Sequence, residues 1–312
     1  MSKKLISIVT PTYNEVDNID ELYKRLKSTL KKINNYNFEI ICIDNNSIDG
    51  TQSKLRDIAS KDKSFKVIFN EKNFGHLKSP YYALLNCQGD ASIFISSDLQ
   101  DPPENIPKFI NKWEEGTKVV LAVKNVSDES KLLFFLRSFY YSLLNFISDT
   151  RTIRNATGAG LIDKKIVDIL KKLDDHNPYF RGLICEITDS IDTVEFHQPK
   201  RKKGITKNNF FTLFDLAMLG ITNHSRLPLR FMTIGGFTIA LFSLVVAIIY
   251  TILKIFFWGS YEIGTAPILI GVFFFGALQA FCIGILGEYI GSIHLRSRNF
   301  PLVVEKERIN FD

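Results

Sequence analysis

The chain has 312 residues, of which 46% are hydrophobic and 23% charged, enough for one sizeable α/β domain with an appendage. Its 39 Lys and Arg against 33 Asp and Glu give a net charge of +6. Such a mild excess suits an anionic membrane, phosphorylated substrates or nucleic acid. The four scattered cysteines form no CxxC or Cys/His spacing, which argues against a zinc site and a disulfide framework.

The first 200 residues alternate short apolar runs with polar helical stretches. Strands are predicted at residues 5–10, 38–43, 65–69 and 91–96, and helices between them at residues 18–33, 51–60 and 79–87. This alternation indicates a mostly parallel sheet covered on both faces. No signal peptide precedes it, because charged residues interrupt the first twenty positions, so we expect this domain in the cytoplasm.

The last third contains two long uncharged runs, residues 231–253 and 264–287. A helix of either length extends about 35 Å, enough to cross a hydrocarbon core of roughly 30 Å. Lys and Arg flank the pair on the outside, at Arg226, Arg230, Arg296, Arg298, Lys306 and Arg308. The positive-inside rule therefore predicts a transmembrane hairpin with both ends in the cytoplasm. Two buried core helices are the alternative.

Two further apolar segments, residues 132–147 and 210–219, are too short or too polar to span a bilayer. Either is predicted to lie in the headgroup plane as an interfacial amphipathic helix. The alternative for both is a core helix of the soluble domain.

Acidic and amide side chains follow three of the predicted strands, in the segments 9–15, 43–51 and 95–104. Ligands of parallel sheets bind outside the carboxyl ends of the strands. Carboxylates there can bind a base or ribose, or hold a hard divalent cation with an amide oxygen. Taken singly, Asp44 or Asp49 could equally cap a helix or turn, and Asp101 before Pro102 could cap a turn.

The ordered motifs are specific as a set. They read PTYNE at 11–15, IDNNSIDGT at 43–51, NFGH at 73–76, SSDLQDPPE at 96–104, NATGAGLID at 155–163, PYFRGL at 178–183, QPKRKKGITKNNF at 198–210 and GEYIG at 287–291. Over nearly its whole length, the chain resembles the family-2 glycosyltransferases. Within them it resembles the polyisoprenyl-phosphate enzymes related to bactoprenol glucosyltransferase and dolichol-phosphate mannose synthase.

The resemblance implies a Rossmann-like GT-A domain and a role for each matching residue. Donor-binding positions are Pro11, Tyr13, Glu15, Asp44, Ser96, Asp98 and Arg181. The metal, Mg²⁺ or Mn²⁺, is expected at Asp98 with Gln100 completing its shell. Arg137 matches a basic position near the acceptor phosphate, and Lys203 and Lys207 lie on a basic loop expected to close over phosphates. Asp98, Arg137, Lys203 and Lys207 are thus the expected catalytic residues.

The chain also departs from the family pattern. Ser96 stands where the first Asp of the family's DxD motif is usual, and Asn45 stands for the second Asp of DDGS. Residues 155–160 contain no acidic side chain, so no third acidic catalytic residue is assigned.

The resemblance implies inverting transfer of a hexose from a nucleotide sugar, UDP-glucose or a related UDP-sugar, to a polyprenyl phosphate such as undecaprenyl phosphate. We expect a GT-A domain at 1–209, a juxtamembrane helix at 210–230, two transmembrane helices at 231–293 and a tail at 294–312. The lipid bilayer is an expected partner and nucleic acid is not, and a homo-oligomer in a bacterial cytoplasmic membrane is expected.

Two other functions are open. A processive polysaccharide synthase would need more spans, and its usual QxxRW motif is absent from the sequence. A non-catalytic nucleotide-binding membrane scaffold is favoured by Ser96 and disfavoured by Asp98, Gln100 and the basic loop.

Overall fold

The computed structural model describes residues 3–124, 153, 156–176, 178–197, 199, 218, 221–222, 225, 227–257, 265–298 and 300–311. Eight strands lie within these ranges: β1 Leu5–Thr12, β2 Asn37–Asp44, β3 Phe65–Asn70, β4 Ala91–Phe94, β5 Val119–Lys124, β6 Ala156–Asp163, β7 Ile191–Phe196 and β8 Glu305–Ile309. The helices are α1 Ile19–Leu30, α2 Thr51–Lys61, α3 Gly75–Leu85, α4 Ile106–Glu114, α5 Lys164–Leu173, α6 Phe180–Ile187, α7 Leu227–Phe256 and α8 Thr265–Ser297, with a 3₁₀ turn at Pro103–Asn105.

All eight strands form one sheet in the order β7-β5-β6-β4-β1-β2-β3-β8. The pairings β1–β2, β1–β4, β2–β3 and β5–β7 are parallel, whereas β4–β6, β5–β6 and β3–β8 are antiparallel. The chain runs outward from β1 to β3 and then crosses to β4 on the other side of β1. The strand order therefore reverses between β1 and β4, where open α/β sheets bind their ligands.

The central strands are apolar on both sides because helices cover both faces of the sheet. On one face of the sheet, strand residues pack against α1, α2 and α4 in a buried layer that includes Ile8, Leu26, Leu55 and Phe109. The other layer lies beneath α3, α5 and α6, and includes Ile41, Tyr81, Leu170 and Ile184. This is the doubly covered, mostly parallel architecture predicted from the alternation of strands and helices.

The edge strand β8 follows α8 in the chain and returns to the soluble domain. It pairs antiparallel with β3, with Ile309 opposite Val67 and Glu307 opposite Phe69. Glu307 forms an ion pair with Arg56 on α2 at 2.5 Å. Beyond the strand, the Asn310 side chain reaches back to the α2–β3 connection. The chain on either side of the two long helices therefore belongs to one sheet.

The helices α7 and α8 present apolar side chains to their surroundings, with Phe237 72% and Phe281 66% exposed. Within the described residues, one helical segment is long and apolar enough to cross a membrane, Phe274–Ser297 of α8, and a shorter apolar segment is Leu227–Ser243 of α7. The runs predicted as spans fall on these two helices. Of the two predicted interfacial segments, 132–147 lies outside the described residues and 210–219 lies outside them except at Met218.

Candidate active site

The loops after β1 and β2 are joined by side-chain hydrogen bonds. The Asn14 amide donates to the Ser47 hydroxyl at 2.8 Å, and the Ile48 amide donates to the Asn14 side-chain oxygen at 2.9 Å. Asn14 has a positive φ of 55°, a conformation that asparagine tolerates better than most residues. The Glu15 amide donates to the Thr51 hydroxyl at 3.1 Å. The first two motifs are thus held together at the carboxyl edge of the sheet and form one wall of the candidate site.

The predicted donor residues of β1 and the loop after it occupy this wall. Pro11 is half-buried opposite Ile43 of β2, and Tyr13 is half-buried in the following loop. Glu15 is buried and accepts a hydrogen bond from the side-chain amide of Asn18 at 2.5 Å. Their positions suit contacts with a base and ribose, and the roles themselves stay predictions.

Asp44 is the last residue of β2 and lies opposite Thr12 of β1. It is fully buried, and its Oδ2 accepts from the Ser47 amide at 2.9 Å and from Gln52 Nε2 at 2.8 Å. Its Oδ1 is buried and has no hydrogen-bond partner among the described residues. Burial raises the pKa of Asp44, although the bonds from Ser47 and Gln52 favour its ionised form. An acceptor atom left open at this strand end suits a polar group of a nucleotide.

Asn45 explains one departure from the family pattern. Its side-chain amide donates to Asn73 Oδ1 at 2.8 Å and to the Gly75 carbonyl at 3.1 Å, while its oxygen accepts from the Phe74 amide at 2.9 Å. A carboxylate at this position could not donate to the first two atoms. The amide therefore ties the β2 loop to the NFGH segment, a structural role that the sequence reading did not find.

The SSDLQDPPE segment folds into a tight loop beyond β4, which ends at Phe94, two residues earlier than predicted. The Ser96 hydroxyl lies 2.9 Å from Asp98 Oδ1 and 2.5 Å from Asp101 Oδ2. Asp98 Oδ1 also accepts from the Gln100 amide at 3.1 Å. Leu99 between them is buried and has a positive φ of 62°. The predicted metal residues Asp98 and Gln100 are half-buried at the mouth of this loop.

Asp101 is a second feature that the sequence reading did not place in the site. Only 6% of this residue is exposed, and its Oδ1 is buried without a hydrogen-bond partner. Burial raises the pKa of Asp101, against hydrogen bonds from Ser96 and Thr157 that favour the ionised form. The following 3₁₀ turn, Pro103–Asn105, is preceded by Pro102 and has no side-chain cap. The Asp101 carboxylate therefore faces Ser96 rather than capping that turn.

Arg181 lies at the start of α6 and reaches the same region through β6. Its guanidinium donates to the Thr157 carbonyl at 3.3 Å. Three residues after Thr157, β6 requires glycine at position 160, because a Cβ there would lie 2.1 Å from the Val120 carbonyl oxygen. Arg137, Lys203 and Lys207, the remaining predicted site residues, lie outside the described residues, and their roles stay predictions.

The polar atoms at this edge of the sheet suit a cation that is bound partly by protein side chains and partly by phosphate oxygens of a substrate. Among the described residues, no group of three or more His, Cys, Asp or Glu side chains is spaced to enclose a metal. Mg²⁺ is commonly bound by one or two carboxylates together with phosphate oxygens and water. Asp98 and Gln100 would be the residues to provide such a partial site, a role that stays a prediction, and the buried Asp101 lies beside Ser96 in the same loop.

The sequence comparison identifies the family. The profile described as "Glycosyl transferase family 2" matches residues 7–169, more than half of the chain. The chain belongs to glycosyltransferase family 2. It is a glycosyltransferase with a GT-A-like, Rossmann-type domain, as its motifs and sheet predicted.

Relatives match this glycosyltransferase along nearly its whole length. A bactoprenol glucosyl transferase of Shigella phage SfX is 33% identical over 304 residues, or 97% of this chain and 99% of that protein. A prophage bactoprenol glucosyl transferase homolog of Escherichia coli K12 is 32% identical over 305 residues, or 96% of this chain and 98% of that protein. Among solved structures, mannosyl-3-phosphoglycerate synthase from Rubrobacter xylanophilus has a TM-score of 0.47 at 15% identity, covering 74% of this chain and 75% of that one.

Proposed function

We propose that this glycosyltransferase transfers a hexose from a UDP-sugar, UDP-glucose or a relative of it, to a polyprenyl phosphate. The observation that carries this proposal is the full-length likeness to bactoprenol glucosyl transferases, which extends beyond the GT-A domain into α7 and α8. A likeness confined to residues 7–169 would support only sugar transfer in general. Undecaprenyl phosphate is the proposed acceptor.

The donor is proposed to bind along the carboxyl edge between β2 and β4. Pro11, Tyr13 and Glu15 line the base and ribose, and the open Oδ1 of Asp44 accepts a hydrogen bond from the nucleotide. Asp98 and Gln100 would hold a divalent cation whose chemistry is to neutralise the charge of the diphosphate. Arg181, Lys203 and Lys207 add positive charge toward the same group.

The proposed reaction is a single displacement at the anomeric carbon. An oxygen of the acceptor phosphate forms the new bond to that carbon, while the bond from the carbon to the diphosphate oxygen breaks and the nucleoside diphosphate leaves. The sugar configuration therefore inverts. A phosphate monoester has a second pKa near 6, so it is largely dianionic at pH 7 and needs no strong general base. The absence of acidic residues from 155–160 is compatible with this chemistry.

We also propose that α7 and α8 cross the cytoplasmic membrane and leave the GT-A domain and both flanking segments in the cytoplasm. The hairpin would hold the domain at the headgroup layer, where the acceptor phosphate lies while its prenyl tail stays in lipid. The Lys and Arg residues outside the pair support this orientation. Labelling of a single cysteine placed after Arg298 by an impermeant reagent only from the periplasmic side would contradict it. A homo-oligomer is part of the same proposal.

The rival function is a nucleotide-binding membrane scaffold, which the replacement of a usual Asp by Ser96 favours. One assay separates the two: purified protein is given Mg²⁺ or Mn²⁺, undecaprenyl phosphate and a panel of nucleotide sugars, and the lipid products are read by mass spectrometry. We expect one hexosyl-phosphoryl lipid with UDP-glucose or a related UDP-sugar. Nucleotide binding without any glycolipid across the panel would favour the scaffold.

A further inference from the structure

The Ser96 hydroxyl connects two carboxylates that have different environments. Asp98 is half-buried at the mouth of the site, whereas Asp101 is 6% exposed and lies behind Ser96. The hydroxyl is within hydrogen-bond distance of both, at 2.9 Å from Asp98 Oδ1 and 2.5 Å from Asp101 Oδ2. The hydroxyl has one proton, so serine lies between the two carboxylates and can donate to one of them at a time.

Burying the Asp101 carboxylate is costly for the fold. One of its oxygens is buried without a partner, and an incompletely paired buried carboxylate destabilises a protein. It does not repay that cost by capping the turn at Pro103–Asn105, which has no side-chain cap. It instead accepts hydrogen bonds from Ser96 and from Thr157 on β6. The buried carboxylate is thus tied to the loop that carries Asp98.

We propose that Asp101 is a positioning residue for the donor site, acting through the Ser96 hydroxyl to fix the orientation of the Asp98 carboxylate. This inference rests on the proposed function, in which Asp98 holds the cation on the donor diphosphate. Ser96 and Asp101 together then do what a second carboxylate of a DxD pair would do. They restrict the rotation of the Asp98 carboxylate.

The proposal also explains why serine suits position 96 in this chain. Aspartate there would place its carboxylate against those of both Asp98 and Asp101, and like charges this close destabilise one another. Serine instead places a hydroxyl between them, which can donate to an oxygen of either. Thr, which keeps that hydroxyl, should preserve the connection, whereas Ala should break it.

The test measures Mn²⁺ affinity by electron paramagnetic resonance on the purified full-length protein with UDP, alongside KM and kcat for the donor sugar. The variants are Ser96→Ala, Ser96→Thr, Asp101→Ala and the Ser96→Ala/Asp101→Ala double variant. Residues that orient metal ligands typically change affinity by about 10- to 100-fold. We expect each Ala variant to weaken Mn²⁺ binding within that range, the double variant to be no weaker than the worse single one, and Ser96→Thr to bind like the wild type.

Asp98→Asn serves as the reference, and thermal unfolding checks that each variant is folded. If Asp98→Asn abolishes Mn²⁺ binding while Ser96→Ala leaves it unchanged, the positioning role is wrong and the proposed metal site stands. If the effects of the two Ala substitutions multiply in the double variant, Asp101 does not act through Ser96. If Asp98→Asn itself leaves Mn²⁺ affinity unchanged, both proposals are wrong. If Asp101→Ala does not fold, the Mn²⁺ affinities of Ser96→Ala and Ser96→Thr are compared instead. Equal affinities in these two variants would show that the Ser96 hydroxyl does not position Asp98, and the proposal would be wrong.

Discussion

Gln52, on the first turn of α2, donates to Asp44 Oδ2 at 2.8 Å while the other oxygen of the same carboxylate is buried without a partner. One oxygen of Asp44 is thus held by the fold, and the other is buried without a hydrogen-bond partner at the carboxyl end of β2. Because burial disfavours its charge and raises its pKa, the ionised carboxylate lowers the stability of the folded protein.

Asp44→Asn should therefore make the protein more stable and a weaker binder of nucleotide. A carboxyl group whose pKa is raised by folding lowers the stability of the folded protein as it ionises. The loss develops as pH rises from the pKa of the group in the unfolded protein to its pKa in the folded protein. Asn does not titrate and so loses no stability over that interval. A gain of about 1 kcal/mol would raise Tm by about 2–4 °C in a domain of this size. Thermal unfolding and UDP calorimetry at pH 7 measure the two effects, and a Tm below that of the wild type would refute the argument.

Asp98→Asn should nearly abolish transfer and leave the fold intact. Asp98 is the one carboxylate that remains of the DxD pair and is half-buried at the mouth of its loop. The measurement is glycolipid formation across Mg²⁺ and Mn²⁺ titrations. Asp57→Asn is the matched control, because Asp57 is exposed and pairs with Lys61 on α2. Wild-type turnover by the Asp98 variant at every metal concentration would show that Asp98 is not the metal ligand.

Lys203→Ala or Lys207→Ala should lower kcat/KM by one to three orders of magnitude, about 1.4–4 kcal/mol of transition-state stabilisation. The expected reason is that both lysines close over phosphates, since a glycine between them, at position 204, can adopt a wide range of backbone conformations. The assay uses detergent and a short soluble isoprenyl phosphate, which removes the bilayer from the comparison. Lys61→Ala is the control. A basic loop that only attracts anionic lipid would give undiminished activity here and a salt-dependent loss of about 1 kcal/mol per charge in membrane binding.

Asn310→Asp should destabilise the soluble domain. The Asn310 side-chain amide donates to the Ala59 carbonyl at 2.8 Å and to the Phe65 carbonyl at 2.9 Å. Aspartate has nearly the same shape and accepts a positive φ, here 64°, but it brings a negative charge toward those oxygens. We expect a loss of at least about 1–3 kcal/mol, read as a lower Tm, with Lys61→Ala as the unaffected control. An unchanged Tm would mean that β8 contributes little to the domain.

The sequence predicted the first half of the sheet well because each strand is an apolar run that ends in a polar motif. It predicted the start of α3 four residues late, and Pro80 lies inside the helix rather than at its first turn. It did not predict β6, because two closely spaced glycines are typical of a loop. In the structure Gly158 and Gly160 lie within this strand, with positive φ values of 98° and 154°. The strand β8, Glu-Lys-Glu-Arg-Ile, was also not predicted, because an exposed edge strand need not be apolar.

The site was predicted as far as local motifs allow. Position within the strand–loop pattern was enough to bring Asp44 and Asp98 to one edge of the sheet, whereas Arg181 was assigned only through the family resemblance, and the roles of all three stay predictions. The hydrogen bonds of Asn45 to Asn73 and of Ser96 to Asp101 depend on how separate turns fold against one another. Those contacts depend on backbone direction, which residue spacing does not specify.

The pairing of β8 with β3 makes α7 and α8 an insertion within the sheet rather than an appendage after it. A single cut before Leu227 removes the hairpin and also removes β8, so it exposes the unpaired edge of β3. A soluble version of the catalytic domain therefore requires the hairpin to be replaced by a short linker that leaves residues 300–311 in place. The same connectivity sets the order of biosynthesis, because both long helices leave the ribosome before the strand that completes the sheet.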